Sequence, residues 1–284
     1  MKLPCTAKAG FLSAPLPIPY KSSAKARHIM ITDNYTCIHS HILWGVDDGP
    51  SSIDESLKML GIAHHEGVRT MIVTPHNGAE NGYAPSAGRV RANFSELQGQ
   101  AKIEFPDMRL CLGSELYCAP GKVLERVERG QAFPLAGSKY LLLEFLEWGG
   151  KYETAEYITR AMVDIARAKW FPILAHAQRY RAFEGKQALY RAMVGGGVYL
   201  QINAYDLADH PDGWVKENTR WIAGNMLAHF IGTDAHRVSH RQPVMRSGVE
   251  YLYAHCDEEY VDALVYGNAE KLITGEQVPL SAGS

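Results

Sequence analysis

Imidazoles and carboxylates are the side chains best suited to hold a divalent cation, and here they recur at one kind of position. His39 and His41, His76, Glu115, Glu144, His176, and Asp234 with His236 each stand at or just beyond the end of a short apolar, β-like run. His39 and His41 are two residues apart, so on a strand both side chains project to the same side and can reach one cation or two neighbouring ones. Alone, such a pair reads equally well as two packed core histidines. Thr-Pro-His76, Ala-His176 and Thr-Asp234-Ala-His236 change that weighing, because the bland explanation must then be repeated for three further runs. Glu115 and Glu144 lie in otherwise apolar stretches, LGSELY and LLLEF. An uncompensated carboxylate buried there costs roughly several kcal/mol, a penalty that a cation, or a salt bridge to Arg or Lys, removes.

The loop after the first run, Gly45-Val46-Asp47-Asp48-Gly49, adds two adjacent carboxylates. Adjacent acids commonly mark a solvated turn, but this loop's location makes at least one a ligand candidate. Imidazoles with hard carboxylates and no thiolate cluster favour Mn²⁺, Fe or Zn²⁺ in a working site over a structural zinc site. Arg179 and Arg241 follow the fifth and seventh runs, and guanidinium forks suit phosphoryl oxygens, although most arginines are simply surface residues. Tyr117, Trp148 and Tyr180 are candidates for pocket lining near the same ends, against packing as the plainer role. His28, His64, His65, His210, His229, His240 and His255 lack the run-end placement and read as structural, with His64 and His65 closing a helix where positive charge complements the dipole.

The elements that must position these residues alternate. Seven β-like runs, at 35–39, 70–74, 109–115, 140–145, 171–176, 198–203 and 229–234, are separated by amphipathic stretches, the signature of a parallel sheet with crossover helices. The clearest helix starts at Ser52, where Ser52-Ile-Asp-Glu55 is a capping box, carries Ile53, Leu57, Leu60 and Ala63 on one face, and stops at Gly67. Further helices are expected near 152–169, 186–195 and 257–266. Seven strand-helix units suggest a barrel, complete or distorted, in which every strand's C-terminus meets on one face, although a doubly wound open sheet shares the local signature.

Composition bounds the partners. A chain of 284 residues with 46% hydrophobic content can bury one full barrel core. The net charge of -2 supplies no global cationic field for nucleic acid or an anionic bilayer. No segment approaches the roughly 20 apolar residues of a membrane span, so a soluble chain without membrane insertion is expected. Five scattered cysteines without a CxxC pair read as reduced thiols, which implies a cytoplasmic setting. Residues 1–33 read as a loose extension, and Met30 is an alternative translation start that N-terminal mass spectrometry would settle.

The motifs IHSHILWGVDDGPSSIDES, VTPH, GSELY, LLLEF, AHAQRY, GTDAHR with a later RQP, and GNAEKLITGE resemble, in order, those of the polymerase and histidinol phosphatase (PHP) superfamily, and within it the bacterial CpsB/CapC/YwqE-type tyrosine-protein phosphatases. The resemblance covers roughly residues 35 to 276. It implies an α/β fold, a distorted (β/α)7 TIM-like barrel over residues 34–284, and a centre of two or three divalent metal ions, manganese foremost. The implied ligands are His39, His41, Asp48, His76, Glu115, Glu144, His176, Asp234 and His236. Arg179 and Arg241 match the positions expected to bind phosphate, and Asp48 or a metal-bound water is the expected proton donor. One departure stands out: family members generally carry Asp where this chain has Cys37, and that aspartate would orient the His39 imidazole.

The implied activity is hydrolysis of protein phosphotyrosine by a metal-bridged hydroxide, the partner being a bacterial tyrosine kinase of capsule or exopolysaccharide assembly. Homo-oligomerisation is compatible with this reading. No phosphocysteine intermediate is expected, because none of the five cysteines has arginine six positions later. Three alternatives stand beside it: another PHP phosphoesterase acting on histidinol phosphate or a nucleotide, a metal-dependent amidohydrolase, and a catalytically inactive metal-binding regulatory partner.

Overall fold

Each of the seven apolar runs forms a parallel strand; a short extra strand follows the second, and the third breaks in the middle. The computed structural model describes residues 33–78, 82–119, 121–145 and 153–280, all within one unit, Thr32–Ser284. The extension expected over 1–33 therefore lies outside the described residues except for Asp33, as does Trp148. The strands are β1 (Tyr35–Cys37), β2 (Val68–Val73), β3 (His76–Asn77), β4 (Arg109–Leu112), β5 (Glu115–Tyr117), β6 (Tyr140–Glu144), β7 (Phe171–Leu174), β8 (Tyr199–Asn203) and β9 (Phe230–Gly232). The second run, expected over 70–74, ends before Pro75, which has no N–H to give to a ladder, and β3 resumes beyond it. The third, expected as one strand over 109–115, breaks at Gly113-Ser114.

The ladders trace a ring. β1 pairs with β2 and β2 with β4, while β3 pairs with β5 and β5 through β9 follow side by side, all parallel. Across the two breaks, Gly113 donates to the Val73 carbonyl at 2.8 Å and Glu115 to the Pro75 carbonyl at 3.1 Å. The first and last strands meet where Ile38 donates to Ile231 at 3.2 Å and His41 to Ala235 at 2.8 Å. This is a distorted seven-stranded α/β barrel.

The connecting helices are α1 (Ile53–His65), α2 (Ala87–Glu104), α3 (Val123–Glu128), α4 (Ala155–Arg167), α5 (Ala188–Gly195), α6 (Ala204–Ala208), α7 (Gly213–Gly224), α8 (Arg246–His255), α9 (Glu258–Asp262) and α10 (Asn268–Thr274). The helix expected at 257–266 is α9 continued by a π-helical turn, Ala263–Gly267. Only half of the expected capping box forms at α1. Ser52 Oγ accepts from Glu55 N at 3.3 Å, but the Glu55 carboxylate reaches back one residue further, to Ser51 N at 3.0 Å. α2 escapes a periodicity reading because its buried face is thin: Val90, Asn93, Leu97 and Ala101, with Asn93 Nδ2 donating to the Trp44 carbonyl at 2.8 Å.

The barrel interior is packed by Ile38, Ile72, Leu142, Ile173, Tyr199 and Phe230, with α10 and the C-terminal tail contributing Leu272 and Val278. Tyr199 Oη donates to the Val278 carbonyl at 2.8 Å and Val278 N donates to Tyr140 Oη at 2.7 Å, so the tail seals the lower mouth. The upper mouth, where strand C-termini converge, is left for polar side chains.

Candidate metal centre

All nine expected ligand residues gather at that upper mouth. His39, His41, His76, Glu115, Glu144, His176, Asp234, His236 and Asp48 arise from six strand ends and one loop, and only Asp48 has a substantially exposed side chain. Three overlapping groups each bring their donor atoms within 4.8 Å of one another: His41, Asp48, His76 and His236; His39, His41 and Asp234; His76, Glu115 and Glu144. Glu115 sits at the hub. Its Oε1 lies 3.2 Å from His39 Nε2 and 3.0 Å from His176 Nε2, and its Oε2 lies 3.1 Å from both His41 Nε2 and His76 Nδ1. Neither Oε2 contact has hydrogen-bond geometry.

The tautomers decide what fits between them. His41 Nδ1 faces Asp47 Oδ2 at 2.9 Å, and His39 Nδ1 faces Gln201 Oε1 at 3.0 Å. The same Gln201 oxygen accepts the His176 backbone N–H at 2.7 Å, which fixes it as the amide's oxygen. Both Nδ1 atoms therefore carry hydrogen, and both Nε2 atoms present lone pairs to each other across 3.1 Å. Two facing lone pairs repel unless positive charge comes between them, so both nitrogens would serve as ligands to a divalent ion. The donor set fits a metal centre, and it is a set of nitrogens and hard oxygens without sulfur.

The electrostatics agree. Burial alone would lift Glu115, but the charges of His39 and His76 and the His176 hydrogen bond hold it well below the usual carboxylate range. Asp234 is also held low, burial being overcome by Arg241 and His39. Burial would lower His41, yet Asp234, Asp47 and Glu115 raise it well above the ordinary imidazole value. His76 is pushed up to about 10 by Glu115 and Glu144 against burial and the charge of His41. His236, whose ring stacks on His41 with centroids 4.1 Å apart, is pushed down to about 2 by burial and by that neighbouring charge. The carboxylates thus favour positive charge on two imidazoles, in the place that cations would take.

The description "Capsular polysaccharide synthesis, CpsB/CapC" belongs to a family model that matches residues 35–274. The chain belongs to the CpsB/CapC family. Among its relatives, the tyrosine-protein phosphatase CpsB of Streptococcus pneumoniae is 27% identical over 246 residues, covering 85% of this chain and 99% of that protein. The putative tyrosine-protein phosphatase CapC of Staphylococcus aureus is 31% identical over 205 residues, covering 72% and 78%. A chain from the crystal structures of YwqE from Bacillus subtilis and CpsB from S. pneumoniae, described as unique metal-dependent tyrosine phosphatases, superposes with a TM-score of 0.76 at 25% identity, covering 86% of this chain and 96% of that one. Dihydropyrimidinase from Brevibacillus agri shares the fold at a TM-score of 0.52 and 12% identity, over 85% of this chain and 70% of that one.

Within this CpsB/CapC barrel the two arginines meet at one oxygen. Arg179 Nη1 donates to Asp234 Oδ2 at 3.2 Å and Arg241 Nη2 donates to the same atom. Asp206, fully buried and outside the expected set, holds Arg179 from behind through Nε at 3.0 Å and Nη2 at 3.3 Å. His176, Asp234 and Arg241 all have positive φ (31°, 52° and 55°), so three of the six such non-glycine residues among those described are at this site. The two acids of the loop divide their work. Asp47 is buried and grips His41 and the His76 backbone N–H at 3.0 Å. Asp48 leans outward, its Oδ1 lying 3.5 Å from His236 Nε2 and 3.7 Å from His76 Nε2. Gly49 allows this turn: a Cβ there would lie 2.1 Å from the His41 carbonyl.

Three expectations are redirected. Cys37 does not face the His39 ring: its Sγ donates to the His39 carbonyl at 3.2 Å and lies 3.4 Å from Thr233 Oγ1, and Gln201 orients the imidazole instead. Tyr180 is buried, its hydroxyl accepting from Phe145 N at 3.1 Å, and Tyr117 donates to Glu153 at 2.6 Å. Two aromatic rings lie beside the centre: Tyr83, stacked on His76 with centroids 5.2 Å apart, and the buried Tyr180, tilted against His176 at 5.6 Å. Gln201 and Asn203 carried one signal in the sequence, two amides on one face of the otherwise apolar β8.

Proposed function

We propose that this chain is a metal-dependent protein-tyrosine phosphatase of the CpsB/CapC kind. The observation that carries the reading is the pair of facing Nε2 atoms, on His39 and His41, ringed by Glu115 and Asp234, with Arg179 and Arg241 converging on the same aspartate. His39, His41, Asp48, His76, Glu115, Glu144, His176, Asp234 and His236 would hold two or three divalent ions, manganese first, with iron or zinc also suited to imidazole and carboxylate. Bound, these ions supply Lewis-acid activation of the attacking water and neutralise phosphoryl charge. Asp47 and Gln201 hold the tautomers that leave the facing nitrogens free of hydrogen. Arg179 and Arg241 bind non-bridging phosphoryl oxygens and stabilise their charge as the bond to phosphorus breaks. Asp48, at the rim, or a water held at the centre would supply the proton to the departing phenolic oxygen, which needs less protonation than an alkoxide.

The names of the relatives support phosphotyrosine as substrate and capsule or exopolysaccharide synthesis as setting, with a tyrosine kinase of that assembly as the phosphorylated partner. Among the described residues no helix is long and apolar enough to cross a membrane. A cytoplasmic location, a catalytic domain over 34–284 and homo-oligomerisation belong to the same proposal. The test is Mn²⁺-dependent hydrolysis of a phosphotyrosine peptide beside histidinol phosphate, by wild type and His41→Ala. Peptide turnover that disappears in the variant is expected. Preference for histidinol phosphate would move the function to another PHP branch, and inertness toward both would leave a regulatory metal-binding protein.

A further inference from the structure

A second cleft opens beside the centre. It encloses about 460 Å³ and is lined by Arg179 and Arg241 together with Tyr205, His210, Pro211 and Val244. Four large apolar side chains are exposed among the described residues, and only Tyr205, at 41%, lines this cleft. Its exposure is built in. Its neighbours on α6, Ala204, Asp206 and Leu207, are buried, and α6 lies against α8 so closely that a Cβ on Gly248 would fall 2.1 Å from the Ala204 carbonyl. Asp206, the next residue, is the carboxylate that grips Arg179 through two nitrogens and accepts from Gln178 Nε2 at 2.6 Å. One short helix therefore fixes a phosphate-binding arginine and an outward aromatic ring relative to each other.

We infer that this cleft is an aryl subsite in which Tyr205 packs against the phenyl ring of the phosphorylated substrate. The inference deepens the phosphatase reading and rests on it. The walls carry the groups that suit a phosphotyrosine side chain: two guanidinium groups for the phosphoryl oxygens, and the Tyr205 ring with Pro211 and Val244 for the phenyl ring. A phosphoserine would place its phosphate at the same arginines and leave Tyr205 untouched. The site thus selects aryl over alkyl phosphomonoesters by a contact that only the ring can make, and Tyr205 is a specificity residue with no part in bond breaking.

The test is calorimetric binding of phenylphosphonate and of inorganic phosphate to Mn²⁺-loaded wild type, Tyr205→Ala and Tyr205→Phe, with phosphotyrosine-peptide turnover of the wild type measured alongside. An aromatic pair corresponds to a change of about 2- to 12-fold in affinity. Tyr205→Ala is expected to weaken phenylphosphonate by that factor and leave phosphate unchanged, while Tyr205→Phe binds both as wild type does. Equal loss for both ligands, no loss for either, or wild type binding phenylphosphonate no more tightly than phosphate would overturn the subsite. A wild type that shows the Tyr205 dependence but turns over no peptide would keep the subsite and overturn the phosphatase reading.

Discussion

Asp47 and Gln201 do at the residue scale what the ligands cannot do for themselves. An imidazole offers a metal one lone pair, and which nitrogen carries it depends on what the other nitrogen meets. Here a carboxylate fixes His41 and an amide oxygen fixes His39. Asp47→Asn keeps a possible acceptor for His41 Nδ1 but removes the charge, and partners of this kind are worth about 10- to 100-fold in metal affinity or activity. The variant is therefore expected to bind Mn²⁺ about 10- to 100-fold more weakly by calorimetric titration, with an unchanged fold by circular dichroism; unchanged affinity would contradict the role. The candidate ligands that gather at the mouth were, apart from Asp48 in its loop, legible in the sequence as polar residues where an apolar run ends. Their supports were not: Asp206 and Gln201 meet their partners only through tertiary packing, across 27 residues for Arg179 and 162 for His39. Cys37 shows the same limit, since strand period puts it beside His39 but not which way the thiol turns.

At the scale of elements, β8, β9 and the C-terminal tail are tied through His229. Its Nδ1 accepts the Leu200 N–H at 3.3 Å and its Nε2 donates to the Leu280 carbonyl at 3.1 Å, so the ring is neutral in the fold. Burial pushes its pKa down to about 4. Above the unfolded value of about 6.5 neither state binds this proton, and stability is unaffected. As pH falls from about 6.5 toward 4 the unfolded chain takes up the proton first, so stability is lost over that window, by about 3 kcal/mol at its lower end. Urea unfolding between pH 4 and 7.5 should show a shallower pH slope for His229→Gln than for wild type; parallel slopes would contradict the assignment. Elements with a strong apolar stripe or a cap, such as α1 and α4, were readable locally. α2 was not, because its buried face carries about one residue per turn and one of those is the polar Asn93.

The whole molecule converts a repeated local accident into one site. A parallel ring of strands turns seven separate run ends into neighbours, so residues as distant as Cys37 and Thr233 touch. The alternation of runs and helices already implied this convergence. The two breaks were not foreseeable, because a proline or a Gly-Ser pair ends a ladder only where the neighbouring strand also changes partner. The break at Pro75 lets His76 turn inward toward Glu115 and Glu144, so the distortion of the barrel serves the centre it carries. The most direct test of the account is an anomalous difference map from crystals soaked in Mn²⁺. Peaks are expected within the three ligand groups, one of them between His39 Nε2 and His41 Nε2 with both rings still held by Gln201 and Asp47. A map with no peak between those nitrogens, or with manganese bound only elsewhere, would contradict it.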